Sequence, residues 1–247
     1  MEKNVRLEGF SVSAAYSIEE LPDTKKIVNT LNAYSWLLSD SNRLFKDALL
    51  CSDVILPDGI SIVIAAKLLS GEKIKKVAGA DLHEMLLKIL NRKKGTCFYL
   101  GSSDCTLHKI AQKIKKEFPN IEVGFYSPPF KSEFSIEDND KMVAAINDFA
   151  PDVVFVGMTA PKQEIWIYKN KEQIKHAKII CGIGAVFDFY AETKKRPPQW
   201  LVNLGLEWLG RLIAEPRRLW KRYVVYNMCF FVKLVKLVCK GKRKNGF

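Results

Sequence analysis

Three features of the sequence predict an α/β fold. Strand patterns alternate with helix-length amphipathic segments from about Thr96 to Tyr190, several strands end in glycine-bearing turns, and a basic, aromatic tail departs from the alternation. Strands and helices alternating in this way build βαβ units, hence a Rossmann-like parallel sheet with helices on both faces. The tail is predicted as a helical, basic C-terminal appendage to that sheet.

In chain order, Ala33–Leu50 reads as helical, Asp53–Leu56 as a short strand, and segments near Ile60–Leu69 and Asp81–Asn91 as helices. Thr96–Gly101 is an apolar run closed by glycine, as expected of a buried strand. Leu107–Phe118 is an amphipathic helix with lysines on its wet face. Ile121–Tyr126, Asp152–Met158 and Lys178–Ile183 are further strands, with Lys141–Phe149 and Lys162–Gln173 as the helices between them. Residues 1–193 are thus expected to form one domain. Lys194-Lys195-Arg196-Pro197-Pro198 then breaks the pattern as a linker or extended crossing. Beyond it, within the appendage 194–247, Leu201–Leu212 and Arg217–Val238 read as helices separated by Glu215-Pro216.

The net charge of +12 resides in the tail, where fourteen Lys/Arg face two acids, Glu207 and Glu215; residues 1–193 are neutral. Trp200, Trp208 and Trp220 also lie there. A neutral body with such a tail suits work against an anionic surface. The largely apolar run Tyr223–Val232 is ten residues long before Lys233 interrupts it, whereas a membrane span needs roughly 20 apolar residues. The tail is therefore expected to lie on a membrane, with Phe230, Phe231, Lys233 and Lys236 in contact with it. The N-terminus is polar and mixed in charge, which argues against export. The six cysteines are dispersed without metal spacing, so free thiols are expected and a structural zinc is not.

Open parallel sheets take ligands at the carboxyl ends of their strands, and four turns there could serve. Leu56-Pro57-Asp58-Gly59 lifts a carboxylate to the strand end, either toward a ligand or as a helix cap. Gly157-Met158-Thr159-Ala160-Pro161-Lys162-Gln163-Glu164 joins strand to helix and either offers a helix N-terminus to a phosphate or is an ordinary turn. Gly182-Ile183-Gly184-Ala185 is half a dinucleotide fingerprint without its third glycine, which weighs against a nicotinamide enzyme. Gly101-Ser102-Ser103-Asp104 is either a nucleotide turn or a capped helix start. Asp138-Asn139-Asp140 precedes a helix, so capping is preferred over metal binding. His83, His108 and His176 have no spacing suited to a metal or triad and are expected solvated or half-buried.

Taken in order, L-P-D-G-I at 56–60, V-A-G-A-D-L at 77–82, V-G-M-T-A-P-K-Q-E at 156–164, G-I-G-A-V-F-D-F at 182–189 and G-L-E-W-L-G-R-L-I-A-E-P-R-R-L-W-K-R-Y at 205–223 resemble the WecG/TagA/CpsF family of bacterial glycosyltransferases. The resemblance spans about residues 5–227. It implies an inverting transfer of an N-acetylmannosamine-type sugar from UDP to undecaprenyl-diphosphate-linked GlcNAc, for teichoic acid or another surface polysaccharide, with no metal and no cofactor. By position it implies Asp58 as general base, with Thr30 and Asn32 in the same pocket and Gln163, Gly157, Gly184, Lys76 and Asp81 on the substrates. Arg211, Arg218 and Lys221 would reach the site from the tail. Lys76 stands where the family is expected to carry Arg, and so gives up the bidentate fork.

The chemistry suits these residue types. One carboxylate takes the acceptor proton, and cations stabilise the departing diphosphate. The neutral body shows no cationic cluster for this, so residues 205–223 are expected to fold over the crevice and residues 224–247 to hold the protein peripherally on the cytoplasmic face of the bacterial membrane. Family members are often oligomeric, so a homo-oligomer is also expected. Another UDP-hexose as donor is the alternative within the fold. Nucleic-acid binding fits the cations but not the apolar run through Phe230-Phe231-Val232.

Overall fold

The computed structural model describes residues 3–195, 197–198, 200–201 and 205–244. Eight strands form one sheet in the order β1-β2-β4-β3-β8-β7-β5-β6. β1 (Asn4–Leu7) and β2 (Phe10–Ser13) pair antiparallel at one edge, and every other pairing is parallel. β3 (Lys26–Leu31) and β4 (Val54–Pro57) lie next to β8 (Ile179–Gly182) and β7 (Val153–Gly157), followed by β5 (Thr96–Gly101) and β6 (Glu122–Tyr126). The carboxyl ends of β4, β3, β8, β7 and β5 therefore share one edge of the sheet.

β1, β2 and β3 have no counterpart in the sequence expectations. They are short, and the half-polar run K-I-V-N-T-L of β3 lacks a continuous apolar signature. The expected helix Ala33–Leu50 is two helices, α1 (Ala33–Ser41) and α2 (Arg43–Leu50). Asn42 divides them: its extended backbone ends α1, and its side chain accepts from the Phe45 N–H to cap α2.

α3 (Ile60–Ser70) follows β4, and α4 (Gly79–Lys93) precedes β5. α5 (Asp104–Glu117), α6 (Ile136–Phe149), α7 (Lys162–Asn170) and α8 (Val186–Tyr190) complete the body. Leu82, Leu86 and Leu90 of α4 and Leu107 and Ile110 of α5 pack on Val28, Leu56 and Phe155. Elsewhere Met142, Ile146, Trp166 and Ile167 cover Val154, Val156 and Ile180. Gly101 has φ +118, and a Cβ there would meet the Gly157 carbonyl oxygen at 2.5 Å. Glycine thus lets the ends of β5 and β7 close together.

The tail contains α9 (Glu207–Ala214), α10 (Pro216–Trp220), a π-helical turn Lys221–Val225 and α11 (Tyr226–Lys244). Residues 202–204 of the expected helix Leu201–Leu212 lie outside the described residues, as does Arg196 of the linker. The expected helix Arg217–Val238 is interrupted by the π turn. α11 packs between α1 and α3. Its successive turns meet successive turns of α1: the rings of Tyr226 and Tyr34 are 4.9 Å apart, those of Phe230 and Trp36 5.5 Å, and Lys233 Nζ lies 2.8 Å from Asp40. α11 therefore runs parallel to α1, away from the strand ends.

This corrects two expectations for the membrane face. Phe230 does not face lipid: with 5% exposure it shares a core cluster with Trp36, Ile62 and Leu234, because α11 turns its apolar side inward. Lys233 is held by Glu8 (2.6 Å) and Asp40 rather than presented outward. Phe231 and Lys236 are exposed. Among the described residues no helix is long and apolar enough to cross a membrane.

Candidate active site

Asn32 and Asp58 are the first residues beyond two adjacent parallel strands, whose last paired residues are Leu31 and Pro57. The Asp58 N–H donates to the Leu31 carbonyl at 2.9 Å. Asn32 Oδ1 accepts from the Ser35 N–H at 3.0 Å and caps α1, and the Asn32 side chain lies beside the Asp58 carboxylate, where it favours the charged form. One asparagine thus starts a helix and borders an acid. Gly59, with φ +110, turns the chain from Asp58 into α3.

Asp58 opens on a cavity of about 410 Å³ between body and tail. Asn32, Lys76, Glu207 and Arg211 line it near Asp58, and Ile60, Ile64, Phe231 and Leu234 line it along α3 and α11. Burial raises the Asp58 pKa above the ordinary carboxylate range, and the Glu207 carboxylate adds to the rise; Arg211, Lys76 and Asn32 oppose it. Lys76 Nζ stands 3.8 Å from Glu207, joining body to tail. An acid with a raised pKa, within reach of cations in a partly closed cleft, is suited to accept a proton near neutral pH.

Arg211 stacks 4.9 Å over Phe189, in the segment following β8. α9 therefore touches both the Asp58 cavity and the turn beyond β8. Arg222 also lines the cavity and lies 4.6 Å over the Tyr34 ring, and its buried Nε has no hydrogen-bond partner among the described residues.

The matching family, described as the glycosyl transferase WecG/TagA/CpsF family, covers residues 4–244. The chain belongs to this family. Two relatives carry the name N-acetylglucosaminyldiphosphoundecaprenol N-acetyl-beta-D-mannosaminyltransferase. The protein of Bacillus subtilis (strain 168) is 33% identical over 196 residues, 79% of this chain and 74% of that protein. That of Bacillus spizizenii (strain ATCC 23059 / NRRL B-14472 / W23) is 32% identical over 205 residues, 83% of this chain and 75% of that protein.

Within this WecG/TagA/CpsF chain, the expected site residues divide by location. Asn32, Asp58, Lys76 and Arg211 share the cavity; Thr30 is half-buried on β3 beside Leu56 and does not line it. Gln163 is 4% exposed: its Oε1 accepts from the Met158 N–H at 3.4 Å, and its Nε2 donates to Glu164 at 2.9 Å. It is packed closely against Gly182, where an added Cβ would stand 3.0 Å from its Nε2. Gln163 thus ties the turn after β7 to the end of β8. Gly157 is packed on Phe187, and Gly184 adopts φ +53 in the next turn.

Three expected contacts lie elsewhere. Asp81 is exposed and accepts from the Ala78 N–H at 2.8 Å, so it caps α4. Arg218 is hydrogen-bonded to Glu215, which also binds Lys194 at 3.1 Å. Lys221 is exposed where the π turn begins and does not line the cavity. Arg222, not Arg218, reaches the cavity, because α10 and the π turn rotate it toward Tyr34.

Glu207, Arg222, Tyr34 and Glu164 were not anticipated. Glu164 is 2% exposed, burial pushes its pKa up to about 7, and its Oε2 has no hydrogen-bond partner among the described residues. Its position beside Gln163 in P-K-Q-E was the available signal. The other three become neighbours only when the tail docks.

Asp138 caps as expected, but from within α6, which begins at Ile136 rather than near Lys141: it accepts from the Ser135 N–H and pairs with Lys131 at 2.8 Å. His108 and His176 are exposed. His83 departs from expectation: it is 3% exposed, 2.6 Å from the Tyr99 hydroxyl, and burial lowers its pKa to about 3.

Proposed function

We propose that this protein transfers N-acetylmannosamine, with inversion, from UDP to the GlcNAc of GlcNAc-diphospho-undecaprenol. Asp58 takes the proton from the acceptor hydroxyl as its oxygen bonds to the anomeric carbon. The bond from that carbon to UDP breaks, and the diphosphate departs with the electron pair. An α-linked donor then yields a β-linked product, in keeping with the names of the two relatives. The observation that carries this reading is the raised-pKa carboxylate of Asp58 at a cavity shared with Lys76, Arg211 and Arg222.

In this reading the body, residues 1–193, supplies the base and the glycine turns after β7 and β8, where the nucleotide sits. The appendage, residues 194–247, supplies Arg211 and Arg222, which with Lys76 meet the charge developing on the leaving group. Exposed Ile213, Trp220, Phe231 and Val232, with the cations of the tail, hold the protein peripherally on the cytoplasmic membrane face that carries the acceptor.

The test is incubation of the purified chain with UDP-N-acetylmannosamine and a short-tailed GlcNAc-diphosphate lipid, with product anomer read by NMR. A β-linked disaccharide lipid is expected, and its loss in Asp58→Asn. No transfer, or an α-linked product, overturns the reading.

A further inference from the structure

The cavity has unlike ends, and its apolar end continues outside. Ile60 and Ile64 of α3 line it, and Leu68 extends the same row at four-residue spacing; their exposures are 41%, 45% and 53%. On α11, Phe231 lines the cavity and Val235 extends that row, with exposures of 60% and 47%. Residues four apart share one helix face, so each helix carries an apolar stripe that leaves the cavity and stays uncovered among the described residues. α3 begins two residues after Asp58, α11 runs parallel to α1, and α1 begins just after Asn32, so both stripes run away from the acid. From Ile60 to Leu68 the row covers about 12 Å.

Lys67, exposed three residues after Ile64, borders the α3 stripe at its outer end; the other cations around the channel lie at its ends or on its far side. Lys76, Arg211 and Arg222 belong to the cavity, whereas Lys233, Lys236 and Lys240 line the opposite flank of α11 together with Glu8. A wholly polar ligand would leave the stripes wet, and a wholly apolar one would strand the cations. A diphosphate joined to a branched hydrocarbon chain matches both ends.

We infer that the channel between α3 and α11 binds the first isoprenyl units of the polyprenyl-diphosphate acceptor, placing the chain in a defined protein groove before it enters the bilayer. This rests on the proposed acceptor class and adds a binding site for its chain. Ile64 and Phe231 grip the unit nearest the diphosphate. Leu68 and Val235 extend the contact outward, and the channel accommodates roughly two or three units over its length. Burying one such unit against two side chains is expected to tighten binding about tenfold.

Farnesyl diphosphate and inorganic diphosphate, titrated in vesicle-free solution by calorimetry, test this with the full chain. Farnesyl diphosphate is expected to bind at least about tenfold more tightly than inorganic diphosphate. Leu68→Gln and Val235→Gln, both surface changes outside the cavity wall, are expected to erase most of that advantage while leaving inorganic diphosphate affinity and the melting temperature unchanged. Equal affinities for the two ligands, or full farnesyl affinity in both variants, overturns the groove. Losses confined to vesicle sedimentation assign the stripes to the bilayer and also overturn it. The titration requires no sugar transfer, so an inactive protein with a farnesyl preference would refute the transferase reading while leaving the groove standing.

Discussion

Lys76 of the body and Glu207 of the tail stand 3.8 Å apart on the wall of the cavity that holds Asp58. The pair is about four-fifths buried, and Glu207 works in two directions. It fastens α9 to the body, and its charge helps to raise the Asp58 pKa. The docked tail therefore bears on the protonation of Asp58 as well as walling the cavity.

Asp58→Asn should lower kcat by about 10²- to 10⁴-fold, the range for removing a general base, with the fold retained by circular dichroism. Because the Asp58 pKa is raised, the wild-type acid limb of kcat/KM should lie above the ordinary carboxylate range, activity falling as pH drops through it. Retained turnover in Asp58→Asn would dismiss Asp58 as the base.

The different placements of Arg222, in the cavity, and Arg218, on Glu215, give a sharper kinetic contrast. Arg222→Ala should reduce kcat/KM by about 10- to 100-fold, as expected for loss of a cation near the developing charge. Arg218→Ala, which breaks an exposed pair with Glu215, should cost less than about threefold. Steady-state kinetics with saturating acceptor separates them, and comparable losses would mean that the active tail differs from the docked arrangement.

Phe230 and Phe231 are neighbours in sequence with opposite surroundings. Phe230→Ala should destabilise the fold by about 3–5 kcal/mol, as for a buried phenylalanine. Phe231→Ala should change stability by less than about 0.5 kcal/mol and weaken sedimentation with anionic vesicles. Thermal melts and vesicle pelleting on the same preparations make the comparison.

Glu164 makes stability depend on pH. Its folded-state pKa, about 7, exceeds the usual value of 4.5, so the fold binds a proton more tightly than the unfolded chain. The protonated carboxyl is compatible with the fold at pH 4, and stability is lost as pH rises from about 4.5 through 7. Glu164→Gln should therefore be nearly neutral at pH 4 and stabilising by about 1–3 kcal/mol at pH 8. Urea melts at both pH values check the sign.

The central strands were legible in sequence because V-V-F-V and T-C-F-Y-L-G are apolar on both faces, as buried parallel strands must be. β3 was not, since it alternates toward polar residues at Asn29 and Thr30, near the site. Asp58 and Asn32 could be singled out through the resemblance and Asp58 also through its strand-end turn, yet sequence left open whether Asp58 faced a ligand or capped a helix. Asp81 shows the other outcome: the same residue type after a short turn is a cap. Arg222 carried no local signal, because its role depends on Tyr34, 188 positions earlier in the chain.

The sequence by itself determined the α/β body, the basic amphipathic tail and the acid at the end of β4, since each is written in local periodicity, charge or turn chemistry. Tertiary structure alone decided which face of α11 is buried, which arginine reaches the cavity, and which carboxylate neighbours Asp58. A helical stripe can serve a core or a bilayer equally well. Only the surface offered by Trp36 and Ile62 chose the core for Phe230 and left Phe231 outside.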